Sequence, residues 1–564
     1  MAWARNAIMI FLVFLLVTGL KVMADPVPYP AFVFGHWVWE DESTDKSLRD
    51  LVKGYQERGI PVSAVIIDSP WETAYNTFEF DRNLFPDYER LLKELNEQGI
   101  SVILWITCAI NKEDPDYEYA LEKGYFAPGL EEYKWWKGVG GLIDYENPQA
   151  LEWWHKRVDR VMNLPFDGWK VDGIDGLIAL KGLNIRQEYA RNYYPDFYHY
   201  TKEKTGRNTV IMARGIEIFS EHTLGLPGWV NPLKAGIPLE YAPREVSFAT
   251  WMGDQDPTWN GMRAAYRSFK KSALEGYLVP GFDIFGYRDG EPDKELFLRW
   301  AQWGAFSPFM ENGGIAEHRP WAYGHDAVEI YRHYAVWHEE LGWYLYSIGE
   351  ERFENGRSLV KPAGKGYLLG DDIYVQPILK PGLEKKQVIV LPEGSFRDWN
   401  NLSKRYCSGE KTHLGYPIHE FPVFIREGAL IPLWVKSEFA GHRLKHEFSE
   451  QNTLLLLPGE GRGETKLIYL DGMKAKLEWT RKQDEVKVRH TGQSKELVLI
   501  VEGALEKPET VILSGKNIEN IEKVEKKSCD DIMPASDSAY CMKNNRLWIK
   551  IEPYENSFDL KIKF

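Results

Sequence analysis

The segment GWKVDGIDG at residues 168–176 places one ammonium and two carboxylate side chains within six positions, directly after an apolar run. These side chains belong to Lys170, Asp172 and Asp175. A carboxylate at such a position can act as nucleophile, general acid or general base, and a nearby ammonium favours its ionised form. Because Asp-Gly is also a common turn pair, an ordinary loop is the alternative interpretation. The choice depends on which other polar residues the fold brings to this segment.

Charged residues stand at the ends of five further strand-like segments. They are Asp68, Arg214, Asp254, Asp283 and Glu311. Carboxylates a few ångströms apart oppose one another's ionisation, so their convergence is costly unless the protein uses them. Two uses compete, a cation site and a carbohydrate site with acid and nucleophile roles. Because Lys170 and Arg214 would repel a cation, the sequence favours the carbohydrate site and predicts neither a metal ion nor another cofactor.

The sequence predicts alternating helices and strands, and these elements would position the charged residues. The segments 55–68 and 95–107 both run from a charged helix end through a glycine, Gly59 or Gly99, into a β-branched strand. Eight strand candidates follow this alternation: 32–39, 62–68, 101–107, 167–172, 209–214, 248–254, 279–286 and 307–312. They predict an α/β fold, a (β/α)8 TIM barrel with its chemistry at the carboxyl ends of the strands. A doubly wound open sheet is the alternative, but no glycine-rich phosphate loop follows the first strand.

The pattern changes near residue 350, where short alternating segments separated by Gly and Pro turns begin. Such segments are typical of antiparallel sheets, so we expect one or two C-terminal all-β domains. The predicted organisation is a signal peptide at 1–24, the catalytic barrel at 25–350, a proximal β-sandwich at 351–436 and a distal β-domain at 437–564.

The N-terminus has the layout of a secretory signal peptide, with Arg5, an apolar run over 8–20 and small or apolar residues ending at Ala24. An uncleaved membrane anchor is the alternative, although the run is shorter than the ~20 apolar residues that a span needs. We therefore expect an exported protein, secreted or periplasmic, cleaved near Ala24 and without a stable membrane span afterwards. In an exported chain Cys529 and Cys541, close in sequence, are candidates for a disulfide.

The net charge indicates which classes of binding partner the protein disfavours. With 83 acidic and 69 basic residues the formal net charge is −14, which disfavours nucleic acid and anionic membranes. A small neutral carbohydrate fits better. The 22 tryptophans and 30 tyrosines are mostly candidates for the core, although aromatic faces also suit the C–H faces of sugars.

Several motifs, in order along the chain, resemble glycoside hydrolase family 31, the retaining α-glycosidases. GWKVDGID is similar to the family's nucleophile strand and WMGDQDPTW to its acid/base strand. Supporting matches are IIDSPWETAYNTFEFDRNLFPD, ARG at 213–215, GFDIFGY and RWAQWGAFSPFMENGG. The resemblance covers nearly all of the mature sequence and implies the same barrel fold.

The resemblance also assigns roles. It implies that Asp172 is the nucleophile and that Asp254 is the general acid, which later becomes the base. Retaining cleavage needs such a pair about 5–5.5 Å apart across the glycosidic bond. The residues expected to contact substrate or shape its pocket are Asp68, Trp71, Trp136, Lys170, Arg214, Trp251, Asp283, Glu311 and His318.

Three departures from the family pattern stand out. Asp175 occupies a position where the family often has Glu, so its supporting role behind the nucleophile is open. Gly313 stands where the family's α-glucosidases carry His, which removes a sugar contact or moves it to His318 or Arg319. The family's usual N-terminal β-sandwich is also missing, because the barrel pattern begins almost at the predicted cleavage site.

The resemblance implies hydrolysis of terminal, non-reducing α-linked sugars by double displacement. An α-glucosidase is slightly favoured, with α-galactosidase and α-xylosidase as alternatives. A non-catalytic carbohydrate-binding descendant is a further alternative, which would be expected to have lost one of the two carboxylates. Transglycosylase and lyase outcomes share the first half-reaction and stay open.

Overall fold

The computed structural model describes residues 27–174, 183–217, 239–240, 242–382, 385–409, 411–435, 451–457, 459, 461–502, 507–514, 516–517, 519–520, 538–543 and 546–564. The predicted signal peptide, Asp175 and Cys529 lie outside these described residues.

Eight parallel strands close into a barrel. They are β1 His36–Val38, β2 Ala64–Ile67, β3 Ser101–Ile106, β4 Gly168–Val171, β5 Val210–Arg214, β6 Ser247–Met252, β7 Pro280–Asp283 and β8 Phe309–Asn312. Each strand pairs with the next, and β1 closes the ring by pairing His36 with Met310 of β8. The strands are almost entirely buried, as expected of a parallel sheet covered on both faces. The predicted TIM barrel is therefore confirmed.

Helices alternate with the barrel strands. Those in the described part of the chain are α1 Asp45–Gln56, α2 Tyr88–Glu97, α3 Tyr117–Glu122, α4 Pro148–Val158, α5 Leu183–Thr205, α6 Trp259–Leu274, α7 Lys294–Ala305 and α8 His325–Glu354, with 3₁₀ turns at Ala31–Phe34 and Pro320–Tyr323. Gly59 and Gly99, which follow α1 and α2, have φ angles of 63° and 74°. They make the left-handed turns into β2 and β3 that side chains would disfavour.

Two loops at the carboxyl ends of the strands carry short sheets of their own. The loop between β3 and α4 contains a three-stranded antiparallel sheet of Ala109–Asn111, Tyr133–Trp135 and Gly138–Leu142. The loop after β5 contains the strand pair Ile216–Glu217 and Leu239–Glu240. These sheets form part of the rim around the barrel mouth.

The C-terminal region consists of antiparallel and mixed sheets, as predicted. The proximal part has strands Val360–Ala363, Gly366–Leu369, Ile373–Val375, Ser395–Asp398, Asn401–Cys407 and Val423–Arg426 in one sheet, and Gln387–Val390 with Lys411–Leu414 in another. The distal part has two six-stranded sheets: Leu430–Val435, Gln451–Leu456, Leu497–Glu502, Glu519–Asn520, Ala539–Lys543 and Arg546–Ile551, and Gly461–Ile468, Lys474–Lys482, Glu485–Thr491, Thr510–Leu513, Lys516–Asn517 and Ser557–Lys563.

The distal sheets dock on helix α8. The indole N–H of Trp343 donates to the carbonyl oxygen of Ile468 at 2.9 Å, and Glu350 pairs with Lys466 and Lys474. Cys541 is disulfide-bonded, the exposed Cys407 is a free thiol, and the buried Cys108 thiol lies 3.2 Å from the carbonyl oxygen of Gly173.

Among the described residues, the 3₁₀ turn Ala31–Phe34 is the element that precedes β1. The described helices include none with the length and apolar character needed to cross a bilayer. The segment 32–39, predicted as one strand, divides into a 3₁₀ turn and the short strand β1.

Candidate active site

Six charged side chains lie at the carboxyl ends of the barrel strands. Asp68 follows β2, Asp172 follows β4, Arg214 ends β5, Asp254 lies two residues beyond β6, Asp283 ends β7 and Glu311 lies within β8. All of them are buried except Asp254, whose side chain is 30% exposed. A barrel gathers residues from distant parts of the chain in this way because all its strands end at the same rim.

Arg214 joins the two carboxylates that the resemblance names as catalytic. Its Nε donates to Oδ1 of Asp172 at 3.1 Å, and its Nη2 donates to Oδ2 of Asp254 at 2.9 Å. The guanidinium also lies 4.8 Å from the ring centroid of Trp251, a cation–π distance. The two carboxylates therefore share one guanidinium.

The surroundings of Asp172 keep its carboxylate ionised. Burial by itself would raise the pKa of Asp172, but the charge and hydrogen bond of Arg214, with help from Lys170, outweigh burial and lower the pKa. The backbone N–H of Gly173 adds to the effect. An ionised, largely desolvated carboxylate is the form that a nucleophile requires.

Lys170 forms a second buried ion pair. Its Nζ lies 2.7 Å from Oδ2 of Asp68, and it stands 3.6 Å above the ring centroid of Trp39 and 5.4 Å from that of Trp251. Burial acts to lower the pKa of Lys170, but three carboxylates, those of Asp68, Asp283 and Glu311, raise it overall. The lysine is thus a fixed positive charge within a site rich in carboxylates.

Asp283 and Glu311 form a carboxyl pair on neighbouring strands. They occupy the same register position of β7 and β8 and are almost completely buried. Burial raises the pKa of Asp283 well above its usual range, and the adjacent charge of Glu311 raises it further. Asp283 therefore keeps its proton to higher pH than an ordinary aspartate does. The indole N–H of Trp39 donates to Oε2 of Glu311 at 2.6 Å.

The Gly313 position, where the family's α-glucosidases carry His, is filled by another side chain. A Cβ atom on Gly313 would lie 2.3 Å from the indole ring of Trp39. The predicted substitute His318 is buried, and its Nδ1 and Nε2 lie 2.7 and 2.8 Å from the carbonyl oxygens of Ala316 and Gly286. Both ring nitrogens are therefore engaged by the backbone rather than directed at a substrate.

The three predicted tryptophans differ in their burial and their contacts. Trp71 is completely buried, packs on Phe80 and donates its indole N–H to the carbonyl oxygen of Trp105, so it is a core residue. Trp136 is 52% exposed on the rim sheet and makes an edge contact with Trp135. Trp251 is buried, and its ring supports the cations of Lys170 and Arg214 instead of standing open to solvent.

The sequence analysis missed four residues that complete the site. Trp39 follows β1 directly, and Asp41 lies two positions further on, where burial and the charge of Asp68 raise its pKa to about 6. Tyr287 stacks on Trp39 and donates to Asp41 at 3.3 Å, and Arg288 donates to the backbone of Asp254. The rule that found the other residues, a polar side chain after each strand, leads on β1 to the adjacent pair Glu40 and Asp41.

The arrangement suits acid/base and nucleophilic chemistry by two carboxyl groups held around one cation. Within the described ranges, the structure contains no group of three or more His, Cys, Asp or Glu side chains arranged to hold a metal ion. The described site provides one ionised buried carboxylate, one partly exposed carboxylate and several fixed hydrogen-bonding groups around them.

Comparison with known families identifies this arrangement. The model described as "Glycosyl hydrolases family 31 TIM-barrel domain" matches residues 26–215 and 242–348, and the family's C-terminal domain model matches residues 354–431. The chain belongs to glycosyl hydrolase family 31. The family resemblance drawn from the motifs is thereby confirmed.

Curated relatives are similar over most of this chain. An α-xylosidase from Emericella nidulans is 25% identical over 73% of this chain and 54% of its own length. Alpha-glucosidase 2 from Bacillus thermoamyloliquefaciens is 24% identical over 72% of this chain and 54% of its own length. The chain thus spans about half the length of these family 31 relatives.

Among solved structures, a family 31 dextranase from Flavobacterium johnsoniae, complexed with glucose, superimposes with a TM-score of 0.80. Its sequence identity is 19%, over 96% of this chain and 71% of that chain. A cycloalternan-forming enzyme from Listeria monocytogenes also gives a TM-score of 0.80, at 18% identity over 95% of this chain and 54% of that chain. At these identities the likeness establishes the shared fold.

Proposed function

We propose that this family 31 protein is a retaining α-glycosidase in which Asp172 is the nucleophile and Asp254 the acid/base. The observation that carries the proposal is the shared hydrogen bonding of both carboxylates to Arg214, at 3.1 and 2.9 Å. Binding of both carboxylates to a single guanidinium supports the close spacing of a retaining pair, about 5–5.5 Å.

In the first step the Asp172 carboxylate attacks the anomeric carbon while the glycosidic C–O bond breaks. The proton of the Asp254 carboxyl passes to the leaving oxygen, so the departing group leaves as an alcohol. The product of this step is an ester between Asp172 and the sugar. The lowered pKa of Asp172 supports the nucleophile role because the attacking form is already present.

In the second step Asp254 acts as a base. Esterification removes the negative charge of Asp172, so Asp254 no longer shares Arg214 with a second negative charge from that residue. Asp254 takes a proton from water, the hydroxyl oxygen attacks the anomeric carbon and Asp172 leaves as a carboxylate. Its partial exposure, 30% of the side chain, gives water and the leaving group access to it.

For the sugar next to the scissile bond we favour glucose slightly, with xylose as the second candidate. The names of the relatives, α-glucosidase and α-xylosidase, support both. The named relatives lend no support to the α-galactosidase alternative. A non-catalytic descendant is disfavoured because both carboxylates are retained.

Export is a further part of the proposal, and it depends on residues 1–24 of the sequence alone. Sequencing the N-terminus of the protein from its natural host tests it. A mature chain beginning close to Asp25 supports export, and an N-terminus at Met1 contradicts it.

A panel of 4-nitrophenyl α-glycosides, run at several pH values, tests the proposed function. The panel contains α-glucoside, α-xyloside and α-galactoside, and NMR follows the anomer released first. We expect hydrolysis of the glucoside or xyloside with the α-anomer as first product. Binding without turnover would support the carbohydrate-binding alternative, and release of the β-anomer would exclude a retaining mechanism.

A further inference from the structure

The acid/base residue stands on an unusual piece of backbone. Asp254 has a φ angle of 61°, in the left-handed region that residues with a side chain enter rarely. Such a conformation persists only where the surroundings hold it in place. The direction in which the Asp254 carboxyl points depends on this backbone, because a change of φ would swing the side chain away from Arg214.

The loop after β7 supplies the groups that hold this backbone. Oδ2 of Asp283 accepts a hydrogen bond from the Asp254 N–H at 3.2 Å, and Nε of Arg288 donates to the Asp254 carbonyl oxygen at 2.8 Å. The backbone N–H groups of Tyr287 and Arg288 both donate to the carbonyl oxygen of Gln255, at 3.0 and 3.2 Å. Both sides of the Asp254 peptide are thus occupied by one neighbouring loop.

The loops that follow β6 and β7 are in close contact, so the backbone of Asp254 cannot change conformation without displacing the β7 loop. A Cβ atom on Gly286, which has a φ of 75°, would lie 2.5 Å from the Gln255 carbonyl oxygen. Arg288 differs from the other holding groups because it acts through a side chain that is 33% exposed. It can therefore be shortened without creating a cavity in the core.

We propose that Arg288 is a positioning residue, which aims the Asp254 carboxyl by holding the backbone carbonyl of that residue. The inference deepens the proposed function and rests on Asp254 being the acid/base. A displacement of about 1 Å in a catalytic group costs on the order of 10²-fold in rate. Loss of the Arg288 contact should therefore impair the steps that need Asp254 and spare the attack by Asp172.

Leaving-group dependence separates positioning from a general structural role. Arg288→Met removes the donor and keeps much of the stem, whereas Arg288→Lys keeps a charge and one donor. We measure kcat/KM on a disaccharide, whose leaving group needs protonation, and on an aryl glycoside with a low leaving-group pKa. We expect R288M to lose roughly 10- to 100-fold on the disaccharide and less than about 3-fold on the aryl glycoside. R288K should recover most of the loss.

Three further variants make the outcome decisive. Asp254→Ala must show the same leaving-group dependence, and more strongly. If it does not, the proposed acid/base assignment fails. Arg288→Gln is a second variant that also removes the donor to the Asp254 carbonyl. If D254A shows the dependence but R288M and R288Q lose activity equally on both substrates, or on neither, the Arg288 inference is overturned. Arg244→Met, at an exposed arginine paired with Glu245, is the matched control and should leave both activities unchanged.

Discussion

The carboxylate of Asp172 accepts its hydrogen bond from an arginine, Arg214, that simultaneously holds a second carboxylate. This relationship predicts how activity depends on pH. Because Arg214 lowers the pKa of Asp172, its removal should raise that pKa and shift the acidic limb of kcat/KM to higher pH. We expect Arg214→Met to lose on the order of 10²-fold or more in kcat/KM at neutral pH. An acidic limb unchanged from the wild type would contradict the role of Arg214.

Replacing the proposed nucleophile should stop turnover altogether. We expect Asp172→Ala to lose essentially all activity on every α-glycoside, including those with good leaving groups, because no other residue can form the ester. Steady-state assays and the melting temperature of the variant provide the measurement. Retention of normal rates by a folded D172A would place the nucleophile elsewhere.

Asp254→Ala should produce a different pattern from D172A. Glycosides with poor leaving groups should lose about 10²–10⁴-fold, as expected for loss of general acid catalysis, while aryl glycosides with good leaving groups should form the ester at a nearly normal rate. Pre-steady-state kinetics should then show a burst, since the second step still lacks its base. An equal loss on both kinds of substrate, with no burst, would argue for a structural role of Asp254.

The contact between Trp39 and Gly313 predicts a steric effect. A methyl group on Gly313 meets the indole of Trp39 at 2.3 Å, so Gly313→Ala should lower the free energy of unfolding by about 1–3 kcal/mol and reduce activity. In the double variant with Trp39→Ala the added methyl group should cost much less, giving a non-additive cycle. Gly415→Ala is the matched control, because a Cβ atom there meets nothing within 4 Å. Strict additivity would mean that the two residues do not compete for space.

The docking of the distal β-domain on α8 predicts pH-dependent stability. Burial alone would raise the pKa of Glu350, but hydrogen bonds and charge from Lys466 and Lys474 lower it. A lowered folded-state pKa gives stability that is complete above the unfolded value, about 4.3, and is lost as the pH falls through the folded value. Glu350→Gln should therefore lower the free energy of unfolding by about 1–3 kcal/mol at pH 7 and much less near pH 3.

Thermal unfolding of E350Q at both pH values checks this prediction. Glu351→Gln changes a neighbouring glutamate whose side chain is 60% exposed, and it is the control that should have little effect at either pH. Equal destabilisation of E350Q at pH 7 and pH 3 would show that packing, rather than charge, explains the loss.

The sequence by itself predicted the barrel, its order of strands and the acidic residues at their ends. It could do so because parallel strands buried on both faces appear as continuous apolar runs, and because a polar residue directly after such a run is conspicuous. Arg214 was identified by the same rule, and Lys170 by its place two residues before Asp172 in the GWKVDGIDG segment. After β1 the same rule leads first to Glu40, so it does not by itself single out Asp41.

The contacts within the site were decided by the tertiary structure. No local pattern indicates that Arg214 bridges two carboxylates from other strands, that Trp39 fills the space beside Gly313, or that Trp71 is a core residue. These relationships join residues from separate strands and loops, whose distances depend on barrel closure and on loop geometry. The left-handed backbone of Asp254 also depends on tertiary contacts, since groups from the β7 loop hold it in place. Local sequence limits which side chains reach the rim, and only packing between strands determines which of them touch.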